Sequence, residues 1–167
     1  APPTLSSSVP ADNATGIALD STIVLNFSEN VDVESGNITI KKTSDNSTVE
    51  TIDVTSGQVT GSGTSQITVT PSSDFDSATE YYVLIDATAF DDSGSASYAG
   101  ISSTTALSFT STNPVPTLSS SVPADNATGV AVDSTIVLNF SENVDVESGN
   151  ITIKKTSDNS TVETIDV

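Results

Sequence analysis

The residues in this chain that could do chemistry are almost all acids. There are 22 Asp and Glu against four Lys, at positions 41, 42, 154 and 155, and no His, Cys or Arg. Without imidazole or thiol, the usual pairing of a nucleophile with a base is missing. Paired carboxylates could serve glycoside hydrolysis. A sugar cleft also needs aromatic platforms, and three Tyr with no Trp supply few. The chain is therefore read as non-enzymatic. Acids in loops suit another task, holding hard cations, because calcium takes roughly six to eight oxygens from carboxylates, carbonyls and water. The candidate calcium ligands are Glu29, Asp32, Asp91 and Asp92, with Glu142 and Asp145 later in the chain. No EF-hand or nonapeptide calcium signature is present. A solvated acidic face screened by salt is the competing reading.

The net charge of −18 constrains partners. Such a surface repels nucleic acid and anionic lipid, so neither is expected as a partner. No apolar run is long enough to span a membrane. With no Cys there are no disulfides, and stability must come from packing or bound ions. The Ser-, Thr-, Asp-, Asn- and Gly-rich composition is that of a secreted bacterial surface protein.

What must position these acids is a repeat. Pro116 to Val167, moved back 113 positions, falls on Pro3 to Val54, and over those 52 positions only Ile17/Val130 and Leu19/Val132 differ. The period is too long for a solenoid, whose units run about 20–50 residues, and suits an array of whole domains. Residues 1–113 are expected to form one complete domain. Residues 114–167 are the N-terminal half of a second. Half a sandwich should not fold alone. Two completions are open, a longer array of the same repeat or strands from another molecule.

Within the repeat, apolar alternation marks strands at Thr4–Ser8, Thr22–Phe27, Asn37–Lys42, Thr48–Val54, Gln66–Thr70, Glu80–Asp86 and Ala106–Thr110. Ile23, Leu25 and Phe27 share one face, as do Ile38 and Ile40, and Leu107 and Phe109, and all are expected inside. Glu80–Asp86 is apolar on both faces and should be central. Pro10–Gly16 reads as a turn and Ser28–Gly36 as an acidic loop. Seven short strands without helical periodicity predict an antiparallel Ig-like β-sandwich in tandem repeat. The tight turn at Asp45-Asn46 makes the third and fourth strands neighbours, a fibronectin-like arrangement of three strands facing four.

The stretches Pro10–Ile17, Ile23–Asp32, Ile67–Pro71, Thr79–Val83, Phe90–Gly94 and Leu107–Thr110 together resemble the SbsA-type bacterial Ig-like repeats of S-layer proteins and large adhesins. The resemblance covers the whole repeat, and the half-repeat as far as it runs. It implies a structural role and brings no catalytic residues. The expected function is an extender repeat of a secreted surface protein, stiffened by calcium, with neighbouring repeats as partners. A carbohydrate- or surface-ligand-binding module is the alternative, with Tyr82 and Tyr98 as its only candidate platforms.

Strand reversal sorts the loops between two ends. One end collects Glu29, Asn30, Asp32, Glu34, Asp91 and Asp92. The other collects Asp12, Asn13, Asp45, Asn46, Asp74 and Asp76. Calcium is expected where Glu29 and Asp32 meet Asp91 and Asp92, with Glu142 and Asp145 as the second repeat's equivalents near the junction. Lys42 lies on the face of Ile38 and Ile40, which raises an isopeptide link to Asn or Asp. The plainer reading is a lysine pair guarding an edge. Tyr81, at the start of its strand, is expected to tie its hydroxyl to upstream backbone.

Overall fold

The computed structural model describes residues 1–167 and contains strands and turns but no helix. Two compact units divide it, Ala1–Pro114 and Val115–Val167.

The first unit holds ten strands: β1 (Leu5–Val9), β2 (Ala14–Ile17), β3 (Ile23–Val33), β4 (Asn37–Lys42), β5 (Thr48–Asp53), β6 (Val59–Thr60), β7 (Thr64–Val69), β8 (Glu80–Ile85), β9 (Phe90–Asp91) and β10 (Ser108–Ser111). One sheet runs β1-β3-β7-β6, with β9 paired to the far end of β3. The other runs β2-β10-β8-β4-β5. Neighbours are antiparallel except β2 and β10, which run parallel. The β4–β5 hairpin closes through a local device. Asn46 takes a left-handed φ of 58°, and the Asp45 carboxylate accepts from the Ser47 amide at 2.9 Å.

The period of two puts Ile23, Leu25 and Phe27 of β3 between the sheets, facing Ile38 and Ile40 of β4 and Tyr81, Val83 and Ile85 of β8. β8 sits in the middle of its sheet, and Tyr82, on its other face, is buried too. β5 is the edge strand, with Val49 exposed and Ile52 in the core.

The seven strands expected from alternation are all present, and three short ones join them. Two corrections follow from long-range pairing. Ala14–Ile17 carries turn residues yet forms β2, because it lies alongside β10, pairing Ala14 with Phe109 and Ile17 with Ser111. The acidic stretch after Phe27 is mostly strand. β3 shifts register between Asn26 and Val31, then runs on to Val33. Val31 drives the extension, since its side chain is buried in the core opposite Thr64.

The second unit, taken by itself, holds β11 (Leu118–Val122), β12 (Val137–Phe140), β13 (Asn150–Lys154) and β14 (Thr161–Asp166). They form two separate two-stranded sheets, β11–β12 and β13–β14. Its apolar side chains, among them Ile136, Leu138, Phe140, Ile151 and Ile165, are exposed.

Candidate functional site

The acidic end of the first unit is built by the last residues of β3 and the hairpin that follows β8. β9 lies antiparallel to the end of β3, so Asp32 stands opposite Asp91 and Val33 opposite Phe90. Both Asp residues are half-buried. The hairpin is held by the Tyr98 amide donating to the Phe90 carbonyl at 2.9 Å and by a bridge between Asp91 and Ser97. An aromatic cluster anchors it from below: the Phe27 ring packs 5.4 Å from Phe90 and 5.2 Å from Tyr98, the latter edge-on. Burial raises the Tyr98 hydroxyl pKa. Gly100 completes the loop at φ +74°, where a Cβ would run into the Ile85 carbonyl.

Of the expected ligands, Asp32 and Asp91 are therefore cross-strand partners. Asp92 is engaged in its own loop, its Oδ1 accepting from the Gly94 and Ala96 amides at 2.8 Å each. Glu29 is exposed, in the part of β3 where register shifts. In the second unit Asp145 is exposed, while Glu142 is partly buried with Oε1 shielded and without a hydrogen-bond partner. That unit has no counterpart of Asp91 or Asp92. No three acidic side chains converge on one point. The Asp32–Asp91 pair offers two carboxylates, fewer than the roughly six to eight oxygens calcium takes, so carbonyls and water would have to supply the rest.

The opposite end of the unit is a tight hydrogen-bonded corner. Asp76 is its hub: its amide donates to the Tyr81 hydroxyl at 2.8 Å, its carbonyl accepts from Ser111 Oγ at 2.6 Å, and its carboxylate pairs with Lys42 Nζ at 2.6 Å. Ser111, itself buried, also accepts from the Thr79 amide. Phe75, Tyr81 and Phe109 pack beneath, with centroids 4.9–5.7 Å apart. Burial raises the Tyr81 pKa, opposed by the hydrogen bond from Asp76. Tyr82 donates to Asn46 Oδ1 at 3.0 Å. Asp12 caps β10, its Oδ1 accepting from the Ser108 amide at 2.9 Å. Along the β5 edge, the Glu50 carboxylate accepts from Gln58 and from the Ser72 amide.

At this corner Lys42 is ion-paired with Asp76, whose hydrogen bond and charge raise the Lys42 pKa. Sequence reasoning put Asp76 at this end and expected the Tyr81 hydroxyl to tie to upstream backbone, but it missed Ser111, the Lys42–Asp76 pair and the Glu50–Gln58–Ser72 contacts. No local pattern marks them: Ser111 and Lys42 reach Asp76, and Ser72 reaches Glu50, from far along the chain, while Gln58 folds back on Glu50 from the loop after β5.

No helix is long and apolar enough to cross a membrane. A family model described as bacterial Ig-like domain matches residues 1–111 and again 112–167. No curated protein matches the sequence. Among solved structures, the copper resistance protein PcoC from Escherichia coli is 24% identical with a TM-score of 0.41, over 65% of this chain and 98% of that one. The S-layer protein rSbsC is 18% identical with a TM-score of 0.43, over 95% of this chain and 21% of that one. The N-terminal part of the S-layer protein SbsC is 17% identical with a TM-score of 0.42, over 96% and 37%.

Proposed function

The chain belongs to the bacterial Ig-like domain family, and from that premise we propose that it is a structural spacer repeat of a secreted bacterial surface protein, an adhesin, S-layer protein or filament. Members of the family are generally structural and not catalytic. Within it, the Phe27-Ser-Glu29 and Leu107–Thr110 elements favour the SbsA-type repeats. Residues 1–113 are the complete repeat and residues 114–167 the first half of the next.

The observation that carries this reading is the recurrence itself, 52 positions with two conservative differences. A spacer needs length, and copying one unit adds length without new contacts to evolve. Two features support a role under tension. The prolines of Thr112–Pro116 restrict the connection between repeats. In addition, β2 near the start of the unit lies parallel to β10 at its end. The Asn13 amide donates to the Ser108 carbonyl at 2.8 Å, and the Thr112 amide to the Ile17 carbonyl at 2.7 Å. Pulling the ends apart slides one strand along the other, so these bonds are loaded together. Single-molecule stretching of the chain between its termini should give one unfolding event releasing about 350–400 Å, from roughly 3.3–3.6 Å per residue. Smooth extension with no such event would remove the spacer reading.

Calcium stiffening belongs to the same proposal. Like charges directly opposite across a ladder are unfavourable, and a cation beside Asp32 and Asp91 would relieve them. At fixed ionic strength, millimolar calcium should raise the melting temperature several degrees over EDTA, magnesium should do less, and Asp91→Asn should abolish the rise. An unchanged melt would leave the acids as a salt-screened surface. A carbohydrate-binding reading gains no support, since Tyr82 and Tyr98 are both buried.

A further inference from the structure

We propose that the outward face of the β1-β3-β7-β6 sheet is a contact surface for a second copy of this chain. The face is uncharged in a strongly acidic molecule. β1, Ile23–Phe27 of β3, β6 and β7 contain no Asp, Glu or Lys, although 16% of the chain is charged. The strands of the other sheet carry Lys41, Lys42, Glu50, Asp53 and Glu80. The acids of β3 come only after Phe27, with Glu29 in the register shift and Asp32 beyond it.

Alternation decides what this sheet shows to solvent. Ile23, Leu25, Phe27, Ile67 and Val69 point into the core, so the residues between them point out. Cross-strand pairing arranges those into two rows. One runs Val9, Val24, Thr68 and Thr60 across all four strands. The other runs Ser7, Asn26 and Gln66. Hydrogen bonds lock the second row: Asn26 Nδ2 donates to Ser7 Oγ at 3.1 Å, and Gln66 Nε2 to Asn26 Oδ1 at 2.9 Å. Side chains already held in place lose less freedom on meeting a partner. Val9, at 60%, is the most exposed large hydrophobic residue of the first unit.

Charge selects the occupant. The chain carries −18, so two copies repel wherever acids face acids. Across this face they meet with none opposed. A basic partner gains nothing here and is drawn to the acidic ends instead. The rows are also self-complementary. Turned over by a two-fold axis, valine and threonine methyls meet methyls, and amides, which donate and accept at once, meet amides. The repeat copies the surface as well. Val122 with Val137 and Ser120 with Asn139 start both rows again, and Asn139 Nδ2 donates to Ser120 Oγ at 3.0 Å. A chain that offers the surface more than once gains most from copies of itself. Each face covers roughly 300 Å², from strand and residue spacing, against about 800 Å² per partner in a standard interface. The contact is therefore weak. It is also separate from the spacer reading, because a repeat that never meets a neighbour still adds length.

The test uses the full chain. It has no cysteine, so Thr60→Cys gives one site for a nitroxide spin label. Spin-labelled chain is mixed with isotope-labelled chain at near-millimolar concentration, and broadening is read by NMR on the isotope-labelled copy. Amides of Val24–Asn26 and Gln66–Thr68 should broaden in proportion to the added partner. Those of Thr39 and Thr51, on the outward face of the other sheet, should not. Raising salt from about 0.05 to 0.5 M should strengthen the broadening about 2-fold or more, since screening removes the repulsion between copies. Asn26→Asp/Thr68→Asp sets carboxylates against each other and should abolish it, while the dispersed amides of the first unit show that the variant is folded. If that variant unfolds, Val9→Asp, at its exposed position, asks the same question. Broadening that is absent, that falls on Thr39 and Thr51 or on Asn150–Lys154, that weakens with salt, or that survives these substitutions would overturn the proposal.

Discussion

The two N-terminal halves of this chain are one sequence in two settings. In both, the first strand pairs with the next in the same register, Leu5 with Phe27 and Val9 with Val24, as Leu118 with Phe140 and Val122 with Val137. The hairpins β4–β5 and β13–β14 also match, Ile38 with Ile52 and Ile151 with Ile165. The turn devices recur, with Asp45 bonded to Ser47 and Asp158 to Ser160, and with Asn13 and Asn126 both at φ 59°. Burial does not recur. Ile23 is 1% exposed and Ile136 53%, and Ile38 is 0% exposed and Ile151 40%. Two elements are lost as well. β3 runs eleven residues to Val33, whereas β12 stops after four at Phe140, and residues 127–130 form no strand where Ala14–Ile17 forms β2. Local sequence therefore sets hairpins and turns. The core, the end of β3 and the whole of β2 depend on residues 55–113.

The largest effect that tests this contrast is a matched pair of core truncations. Leu25→Ala removes a fully buried side chain and leaves a cavity, which should cost about 2–5 kcal/mol in denaturant unfolding of the first unit. Leu138→Ala makes the same change on an exposed side chain and should leave that transition unaltered. Equal losses from both would mean that the second unit carries a share of the main cooperative transition, and the contrast would fail.

A smaller effect sits at the corner that only the first unit possesses. Tyr81→Phe keeps the ring packed against Phe75 and Phe109 but leaves the Asp76 amide without its acceptor. The expected loss is about 1–3 kcal/mol, with the unfolding slope unchanged. If the variant melts like the parent, the hydroxyl is not what ties this corner, and Ser111 with Lys42 must hold it.

The same division explains what the sequence made legible. The alternation of Ile23, Leu25 and Phe27, or of Ile38 and Ile40, is a property of a few adjacent residues, and those faces are buried as read. Pro10–Gly16 reads as turn because its residues prefer turns, and only the parallel neighbour β10 makes a strand of Ala14–Ile17. Ser28–Gly36 reads as an acidic loop because polar and acidic residues outvote Val31 and Val33 locally, while the core recruits Val31 and carries β3 on to Val33. The candidate site divides likewise. Strand reversal put Asp32 and Asp91 at one end, and they are cross-strand partners. The tie of the Tyr81 hydroxyl to upstream backbone is legible from its place at the start of β8, and its partner is the Asp76 amide. The commitment of Asp92 to its own loop amides and the Asp76 contacts with Ser111 and Lys42 come instead from geometry that no spacing announces. The elements hardest to read in the first unit are the ones absent from the second, for one reason: their partners are far along the chain.

The smallest effect separates the units by pH. Lys42 pairs with Asp76, whereas Lys155 has no such partner within the chain. The hydrogen bond and charge of Asp76 raise the Lys42 pKa above its ordinary 10.5. A raised pKa contributes stability that is complete below the unfolded value and lost as pH climbs through the folded one. Glu50 runs the other way. Burial pushes its pKa up, but hydrogen bonds from Gln58 and Ser72 outweigh this and hold it below the ordinary 4.5. Its contribution is complete above that value and lost as pH falls through the folded pKa. Melting temperature against pH should therefore fall on both flanks. Glu50→Gln should reduce the acid flank, to which Asp45 and Asp53, held low by Ser47 and Thr55, also contribute, and Lys42→Met should flatten the alkaline one, while Lys155→Met changes neither. The pair is solvent-accessible, so added salt should shrink the Lys42 effect. A response of Lys155→Met as large as that of Lys42→Met would mean that Asp76 is not the source of the alkaline flank, and this last distinction between the two copies would disappear.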